Sequence, residues 1–544
     1  MNGGAFLGVD VGTGSVRAGL FDASGARLGF GVHPIQTWRP QENFVEQSSD
    51  DIWRAAGEAI RSALAPAGLP AEAVRGIGFD ATCSLVLLGA ADQTVTVSPG
   101  GSAAQNVIVW MDHRAIEQAE RINATQHEVL RYVGGVISPE MQMPKLLWLK
   151  ERLASSFAQA AHFFDLSDYL GYRATGNATR SLCTTVCKWT YVGHDGGHWS
   201  DDFLRNIGLQ ELLASNHARI GSRVRPMGEP LGGLTDTAAR ELGLARGTPV
   251  AVGIIDAHAG GLGMIGAAID GRKPAAADLE RRLALIGGTS SCHMAVSHAP
   301  HFVPGVWGPY YSAMVPGLWL TEGGQSATGA LIDHVIFSHV RGAELTRDAT
   351  AQGTSVYALL NRELDRLGGE QQHALTRELH VLPDFHGNRS PLADPTLRGM
   401  VSGLPLSDSL ESLAVLYLAA VQSIAHGTRH ILSALAEQGL RVDTLIGCGG
   451  DLKNPLFVRE HADIAGCRLV LPAEPEAVLL GAALLGAVAA GVYPDVLSAM
   501  GAMSRVADTV LPRGGVIAAY HERKHRVFQR LYSDQRAYRS LMQE

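Results

Sequence analysis

The sequence predicts an α/β fold divided between two large domains, and three observations lead to this prediction. Apolar β-type runs alternate with amphipathic helical segments, which is the pattern of α/β proteins. The chain has 544 residues, more than one hydrophobic core usually holds. A short glycine- and threonine-containing phrase near the start returns in the second half, so the chain looks built from two similar parts.

The first element is a hairpin over residues 6–22, in which two apolar strands flank a turn of glycine, threonine and serine. The tip of such a turn offers backbone N–H groups and hydroxyls at close range, and Asp10 ends the first strand. Small donors beside one acid are what the phosphate chain of a metal-bound nucleotide requires. The alternative for Asp10 is a carboxylate that caps the turn.

The related phrase spans residues 283–296. Its Gly-Thr pair at 288–289 aligns with the Gly-Thr pair at 12–13, whereas Ile286 stands where the first hairpin has Asp10. We therefore expect two hairpins of similar shape, of which only the first carries an acid.

The other elements follow from hydrophobic periodicity and turn signals. The first half predicts a helix at 50–65, a strand, turn and strand at 76–88, a strand at 107–111, a helix at 145–153 and a buried strand at 249–255. A stretch rich in alanine, with glycine and proline, indicates the connection between domains at 267–278. The second half predicts a hairpin at 283–297, a helix at about 409–438, a strand at 443–447, a buried helix from 477 and a basic helix at 520–542. The side chains expected to attach this last helix to the body are Val527, Phe528, Leu531 and Tyr532.

Asp256 follows the apolar strand at 249–255, at the end of an open α/β sheet where ligands bind. A carboxylate there is able to take a proton from a substrate hydroxyl, and it is equally suited to cap the helix that follows. The literal G-x-G-x-x-G at 261–266 does not directly follow a strand and lacks the acid expected on a second strand, which argues against a dinucleotide site. The sequence contains no G-x-x-x-x-G-K-[S/T], so P-loop chemistry is excluded.

Composition narrows the function further. A formal net charge of −8 argues against a nucleic-acid partner. The six cysteines form no C-x-x-C pair, which indicates reduced thiols and a cytoplasmic protein, and we expect Cys183 and Cys187 to serve ordinary packing. No basic region followed by an apolar run starts the sequence, so we predict no signal peptide. The uncharged segment 477–493 is shorter than a membrane-spanning helix, so we expect a buried helix and no membrane partner.

The two hairpins, followed by the glycine-rich loop at 447–451, resemble the FGGY carbohydrate kinases, which share the actin/Hsp70/hexokinase architecture. The resemblance covers about the first 500 residues. It implies two ribonuclease H-like domains with a cleft between them, and it implies ATP and Mg²⁺ as cofactors. The expected divisions are an N-terminal domain at 1–270, a C-terminal domain at 280–500 and a helical extension at 501–544.

The resemblance also implies roles for individual residues. Asp10 is expected to hold Mg²⁺ through water, and Asp256 is expected to act as the general base. The residues expected to bind the nucleotide are Thr13, Ser15 and Arg17 in the first hairpin, Gly288 and Thr289 in the second, and Gly329, Gly450, Asp451 and Asn454 beyond it.

The sugar site is expected mostly in the first domain. A polar cluster of Asp80, Thr82, Cys83 and Ser84 follows a strand and suits a polyol, and Asp112 and His113 follow another strand that is expected to reach the same cleft. Lys188 and Glu322 resemble the substrate lysine and glutamate of ribulokinases. Surface or capping roles remain the alternative for Lys188, Glu322, Asp112 and His113. The sequence has neither the Arg-Glu pair of glycerol kinases nor the Met-His pair of xylulokinases at the polar cluster.

Thr82-Cys83-Ser84 and the two residues after it look most like the D-ribulokinase subgroup. This resemblance implies an ATP-dependent kinase that phosphorylates the terminal hydroxyl of a ketopentose, with D-ribulose as the favoured substrate and D-ribulose 5-phosphate as the product. L-ribulose or a pentitol such as ribitol is the alternative substrate. A non-catalytic, nucleotide-dependent sugar-binding protein is the distant alternative. A homodimer is expected from what is common among relatives.

Overall fold

The computed structural model describes residues 4–542. Its strands are β1 (Ala5–Val11), β2 (Ser15–Phe21), β3 (Arg27–Pro34), β4 (Glu46–Gln47), β5 (Val74–Ala81), β6 (Leu85–Leu88), β7 (Val107–Ile108), β8 (His162–Asp165), β9 (Arg180–Ser181), β10 (Val224–Arg225), β11 (Pro230–Gly233), β12 (Pro249–Ala251), β13 (Ile254–Ile255), β14 (Arg282–Gly287), β15 (Ser291–Ser297), β16 (Trp307–Tyr311), β17 (Trp319–Gln325), β18 (His380–Leu382), β19 (Met400–Ser402), β20 (Thr444–Gly449), β21 (Arg468–Pro472) and β22 (Val506–Val510).

The α-helices are α1 (Ser49–Ala67), α2 (Ile116–Ala124), α3 (Gln142–Arg152), α4 (Ala154–Gln159), α5 (Leu166–Thr175), α6 (Leu182–Lys188), α7 (Asp201–Asn206), α8 (Ala214–His217), α9 (Asp236–Leu242), α10 (Asp256–Ile265), α11 (Ala276–Leu279), α12 (Gly329–Ser338), α13 (Gly342–Ala351), α14 (Val356–Gly368), α15 (Leu410–Glu437), α16 (Pro455–Ala465), α17 (Ala477–Ala489), α18 (Val496–Met503) and α19 (Val516–Leu541).

The first large sheet has the strand order β11-β12-β5-β1-β2-β3, with β13 also paired to β5. Strands β1 and β2 form the predicted hairpin, and β5 runs parallel to β1. The register places Asp10 opposite Asp80, and it places Ile254 opposite Asp80 on the other side of β5. The carboxyl ends of β1, β5 and β13 therefore meet at one edge of the sheet, which is where ligands of such sheets bind.

The second large sheet has the order β16-β17-β15-β14-β20-β21-β22. Its β14 and β15 form the second predicted hairpin, and β20 runs parallel to β14, as β5 does to β1 in the first sheet. Both sheets therefore share the arrangement of an antiparallel hairpin flanked by a third antiparallel strand and two parallel ones. The repeat seen in the sequence is a repeat of topology, and the predicted α/β fold with two large sheets is confirmed.

Helices α10 and α17 cross between the two sheets. Helix α17 packs on β1 and β5 of the first sheet although it lies in the second half of the chain, whereas α10 packs on β14 of the second sheet. Glycines allow the crossing, because a Cβ atom on Gly263 would lie 2.0 Å from the carbonyl oxygen of Ala477 and one on Gly481 would lie 1.8 Å from that of Ala259. The G-x-G-x-x-G sequence is thus a helix-packing surface inside α10.

The predicted strand, turn and strand at 76–88 form as β5, a turn at 82–84 and β6. Strand β6 pairs with β7 and β8 in a separate four-stranded sheet. Residues 107–111 form a strand only over 107–108. Helix α1 is longer than predicted: the Ser48 side chain caps its first turn, and Gly68 ends it with a φ of 61°.

Among the described residues, α15 is the helix that is long and apolar enough to cross a membrane, and 67% of its most apolar window is buried inside the protein. Helix α17 is apolar but shorter, and it is buried as expected for the segment after 477. Helix α19 packs on the second domain through Phe528 and Leu531, which contact Leu382, with Val527 and Tyr532 partly buried beside them.

Candidate active site

The first hairpin places a carboxylate opposite a guanidinium group. Asp10 on β1 is opposite Arg17 on β2, and the Arg17 Nε donates to the Asp10 carboxylate at 2.7 Å. Arg17 also forms a 2.9 Å ion pair with Glu476, which immediately precedes α17. Burial alone would lower the pKa of Arg17, but the charges of Asp10 and Glu476 raise it. The structure thus brings together the two charged residues that the sequence analysis assigned to metal and phosphate, and it adds Glu476, which the sequence analysis did not assign to the site.

Thr13 and Ser15 lie at the partly exposed tip of this hairpin. The Thr13 hydroxyl accepts a hydrogen bond from the Trp110 indole at 3.0 Å, and the Thr13 carbonyl accepts one from the Gln47 amide at 2.7 Å. These bonds hold the tip in place without using the backbone N–H groups of Thr13 and Ser15.

Three carboxylates converge beside the hairpin: Asp10, Asp80 and Asp256. Asp80 is fully buried, and both of its carboxylate oxygens lack a hydrogen-bond donor. Burial, followed by the negative charge of Asp10, raises the pKa of Asp80 well above its usual value. A buried carboxylate without donors next to a second carboxylate is costly unless it is protonated or a cation is bound. The carboxylate oxygens of Asp10 and Asp80 therefore suit Mg²⁺ as protein ligands.

Asp80 was expected to bind the sugar. Its expected sugar contact stays a prediction, and the strand register places it opposite Asp10 near the carboxyl end of β5. The spacing along one strand did not reveal this, because the neighbour of Asp80 is seventy residues away in sequence.

Asp256 is the first residue of α10 rather than its cap. The N-cap position is Ile255, and the Asp256 carboxylate accepts only from the backbone N–H of Ala257, at 2.7 Å, which leaves its other oxygen available. Burial and then the charge of Asp10 raise the pKa of Asp256 to about 6, while Lys188 acts in the opposite direction. The carboxylate is therefore ionised at neutral pH and basic enough to accept a proton.

Lys188 and Glu322 come from opposite halves of the chain and lie in the same cleft. Lys188 ends α6, and Glu322 lies on β17 of the second sheet. Burial opposes the charged form of both groups, but Glu322 helps to raise the pKa of Lys188, and Lys188 helps to lower the pKa of Glu322. The ammonium of Lys188 also lies 5.8 Å from the ring centre of Trp307.

The cleft holds further polar side chains that the sequence analysis missed. The guanidinium of Arg389 lies 5.4 Å from the Trp307 ring centre, and its charge lowers the pKa values of Glu322 and Glu140. The carboxylate of Glu140 lies 3.3 Å from the His113 ring. Isolated residues on loops carry no periodic signal, so only the fold brings them together.

The turn after β5 faces the same cleft. The Thr82 and Ser84 hydroxyls lie 3.0 Å apart, and Ser84 accepts from the backbone N–H of Trp110 at 3.2 Å. Burial raises the pKa of Cys83, and the nearby charge of Lys188 opposes this rise. Trp110 therefore joins this turn to the first hairpin, because its indole reaches Thr13.

Asp112 does not reach the cleft, and its expected sugar contact is corrected. Its side chain is inaccessible, accepts from the backbone N–H of Val45 at 2.6 Å and forms a 2.7 Å ion pair with Arg114. Arg114 in turn bonds to Glu46 at 2.9 Å. His113, its neighbour, does point toward the cleft, where Glu140 raises the pKa of the imidazole.

A cavity of about 950 Å³ adjoins the second hairpin. All six residues that the sequence assigned to the nucleotide in the second half line it, namely Gly288, Thr289, Gly329, Gly450, Asp451 and Asn454. Its wall also contains Tyr357 and Asn361, one helical turn apart on α14, which the sequence analysis missed. Most of the lining is apolar or small, as a flat base requires.

Two of these residues have structural bonds of their own. Asn454 caps α16 through the backbone N–H of Leu456, and its amide donates to the Tyr417 hydroxyl at 2.6 Å. Its side-chain oxygen also accepts from Asn361 at 2.9 Å, so little of the amide is free for a base. Burial raises the pKa of Asp451 to about 6, and bonds from Thr328 and Gly329 limit the rise.

Comparisons with known proteins agree with this geometry. Residues 5–263 match the N-terminal domain of the FGGY family of carbohydrate kinases, and residues 283–490 match its C-terminal domain. The chain is 53% identical over 548 residues to an FGGY carbohydrate kinase domain-containing protein of Homo sapiens, covering 99% of this chain and 98% of that one. It is 41% identical over 511 residues to a D-ribulokinase of Saccharomyces cerevisiae, covering 89% of this chain and 72% of that one.

Among solved structures, a xylulose kinase from Rhodospirillum rubrum superposes with a TM-score of 0.81 at 20% identity, covering 98% of this chain and 99% of that one. A xylulose kinase from Brucella ovis gives a TM-score of 0.79 at 22% identity, with coverage of 98% and 100%. These likenesses show the actin/hexokinase-like fold. Together with the two matched domains they establish that this chain belongs to the FGGY family of carbohydrate kinases.

Proposed function

We propose that this sugar kinase is a D-ribulokinase, which transfers the γ-phosphoryl group of Mg-ATP to the terminal hydroxyl of D-ribulose. The observation that carries the proposal is the position of Asp256. Its carboxylate interacts with Asp10 on the phosphate side and with Lys188 on the sugar side, and its second oxygen is free. A base between the two substrates is what direct phosphoryl transfer needs.

The chemical step follows from this placement. Asp256 takes the proton of the terminal hydroxyl as that oxygen forms a bond to the γ-phosphorus, and the bond from the γ-phosphorus to the bridging oxygen of ADP breaks. Asp10 and Asp80 would hold a Mg²⁺ ion, which would neutralise charge on the transferring group. Arg17 lies next to Asp10 and supplies positive charge at the same end of the nucleotide.

The nucleotide is placed by the second half of the molecule. The apolar cavity between α12, α14 and the loop at 450–455 suits the adenosine, and Gly288 and Thr289 at the tip of the second hairpin line the same cavity. Backbone N–H groups at both hairpin tips suit the phosphates, because small turns let the anion approach closely.

The sugar is bound by groups from both halves. Lys188 and Glu322 offer opposite charges, and the Thr82 and Ser84 hydroxyls offer small donors and acceptors for a polyol. Because these groups belong to different domains, a bound sugar favours closure of the cleft, and closure excludes water that would otherwise hydrolyse ATP.

D-ribulose is favoured because the D-ribulokinase of Saccharomyces cerevisiae is 41% identical, whereas a ribulokinase of Bacillus licheniformis is 29% identical over 487 residues. L-ribulose is the second candidate on the strength of such bacterial relatives. The xylulose kinases that share the fold are too dissimilar in sequence to indicate the substrate.

A coupled assay of ADP release tests the proposal with D-ribulose, L-ribulose, D-xylulose and ribitol at equal concentrations. We expect the highest kcat/KM with D-ribulose and little ADP release without sugar. A higher value with another sugar would reassign the substrate. ADP release that no sugar stimulates would favour a binding protein over a kinase.

A further inference from the structure

Behind the sugar cleft lies a cluster of three buried side chains that the phosphoryl transfer does not use. Cys183 and Cys187 lie on α6 and His258 lies on α10, and their side chains are at most 2% exposed. The two sulfur atoms and a ring nitrogen of His258 all lie within 4.8 Å of one another. The sequence analysis expected Cys183 and Cys187 to be ordinary core cysteines.

The helical spacing of the two cysteines favours shared coordination over a disulfide. Residues four apart on a helix have Cβ atoms about 5–6 Å apart, whereas a disulfide requires about 3.5–4.5 Å. Two thiolates that bind one ion each lie about 2.3 Å from it, so the ion spans the extra distance. A disulfide between Cys183 and Cys187 would instead require α6 to distort.

His258 has the environment of a metal-bound imidazole. Its Nδ1 lies 3.2 Å from the Cys183 sulfur, and its Nε2 lies 3.3 Å from a Glu322 carboxylate oxygen. Metal-binding histidines commonly donate their second ring N–H to a carboxylate, which orients the ring and increases its basicity. Here Glu322 is that carboxylate.

We propose that the sulfur atoms of Cys183 and Cys187 and the Nδ1 of His258 bind one Zn²⁺ ion. Two thiolates and a neutral imidazole give a complex without net charge, which suits a buried site. Three protein ligands are the number found in zinc sites that keep a fourth position for another ligand.

The ion would connect the elements that carry the sugar site, a consequence that rests on the proposed function. Lys188 directly follows Cys187, Asp256 precedes His258 by two residues, and Glu322 bonds to His258. Binding of Zn²⁺ therefore holds α6, α10 and β17 in one arrangement. Its loss should raise the KM for sugar more than the KM for ATP.

The direct test is the metal content of the purified full-length protein, measured by inductively coupled plasma mass spectrometry after dialysis under reducing conditions. We expect about one zinc per chain, and we expect Cys183→Ser, Cys187→Ser and His258→Gln each to lose it. The matched control is Cys467→Ser, which replaces a buried cysteine immediately before β21 and should keep the zinc.

Cobalt substitution gives a second readout that does not depend on activity. Added Co²⁺ should produce a thiolate-to-cobalt charge-transfer band that saturates at about one equivalent in the wild type and is absent in Cys183→Ser. Wild-type protein that holds no zinc and gives no such band overturns the proposal, as does a disulfide between Cys183 and Cys187 in protein kept under reducing conditions. A protein that binds zinc but phosphorylates no sugar would sustain this site and contradict only the proposed function.

Discussion

The two hairpins have the same backbone plan and different chemistry. In the first, Asp10 faces Arg17 across the strand pair, whereas in the second the corresponding pair is Ile286 and Cys292. Ile286 packs on α10, where a Cβ atom on Gly260 would lie 2.7 Å from its Cδ1. The two hairpins therefore share the turn. The residue two positions before the glycine of the turn determines whether the hairpin forms an ion pair, as with Asp10, or packs against a helix, as with Ile286.

The largest expected effect comes from removing the base that faces the ionic hairpin. Asp256→Asn keeps the shape of the side chain and loses its basicity, so kcat should fall by about 10²–10⁴-fold while sugar and ATP still bind. Steady-state kinetics and calorimetric binding measure the two parts. Asp236→Asn, at an exposed position of α9, is the control. A variant that retains more than half of the wild-type turnover would refute the role of Asp256.

The second prediction compares the two hairpins by truncating the corresponding side chain in each, Asp10 in the first and Ile286 in the second. Asp10→Ala should cut turnover at least about tenfold and raise the Mg²⁺ concentration needed for half-maximal rate, because charge on the phosphoryl group is less well neutralised. Ile286→Ala should leave the Mg²⁺ titration unchanged and lower the free energy of unfolding by about 2 kcal/mol, through lost packing. Identical Mg²⁺ titrations for Asp10→Ala and the wild type would mean that Asp10 only stabilises the turn.

A third prediction concerns the proposed sugar site. Lys188→Ala and Glu322→Gln should each lower kcat/KM for D-ribulose by roughly 10–100-fold, the value of one lost charged hydrogen bond. The KM for ATP should move much less. Lys150→Ala, a surface lysine of the same domain paired with Glu211, is the control. Wild-type kinetics in both variants with every sugar would place the sugar elsewhere.

The smallest effect tests a region away from both hairpins. Burial lowers the pKa of His426 well below 6.5, that of His521 to about 3 and that of His525 to about 4, where α19 packs on α15. The charged or titratable groups around them are His373, Arg429, His430, Glu460, Arg513, Glu522 and Lys524. A folded-state pKa below the unfolded value means that stability is complete above pH 6.5 and is lost as the pH falls toward 4.

For each of these histidines, the free energy of unfolding falls by up to about 1.4 kcal/mol for every pH unit below 6.5, because the unfolded state takes up the proton more readily. Melting temperature should therefore fall between pH 7.5 and pH 5, and the fall should be smaller in His525→Asn than in the wild type. His386→Asn, at an exposed position, should behave like the wild type. An equal fall in all three proteins would show that the C-terminal histidines do not couple to folding.

Local chemistry made much of this molecule predictable. The glycine–threonine turns, the acid at the end of β1, the acid at the start of α10 and the residues around the nucleotide cavity are all marked by neighbours in sequence. The assignment of roles to these residues stays a prediction. The division at 1–270 and 280–500 also stays one, and α17 shows why chain order is an incomplete guide: it lies after 280 and packs on the first sheet.

The missed features depend on partners far away in the chain. Asp112 looked available, but Arg114 and the Val45 backbone take up its carboxylate inside the core. Glu476 reaches Arg17 across 459 positions, and the charged groups of Arg389 and Lys188 lie 5.4 Å and 5.8 Å from the Trp307 ring centre. No periodicity within one segment contains such contacts, because the fold creates them.

The most direct measurement of the central claim is a ³¹P NMR spectrum of wild-type protein with equimolar ATP, D-ribulose and Mg²⁺. We expect ADP together with one sugar phosphate, whose phosphorus couples to the two protons of a terminal carbon. The same mixture with Asp256→Asn should remain ATP and free sugar over the same time. A phosphate on a secondary carbon, or ADP with inorganic phosphate and no sugar phosphate, would contradict the proposed transfer to the terminal hydroxyl.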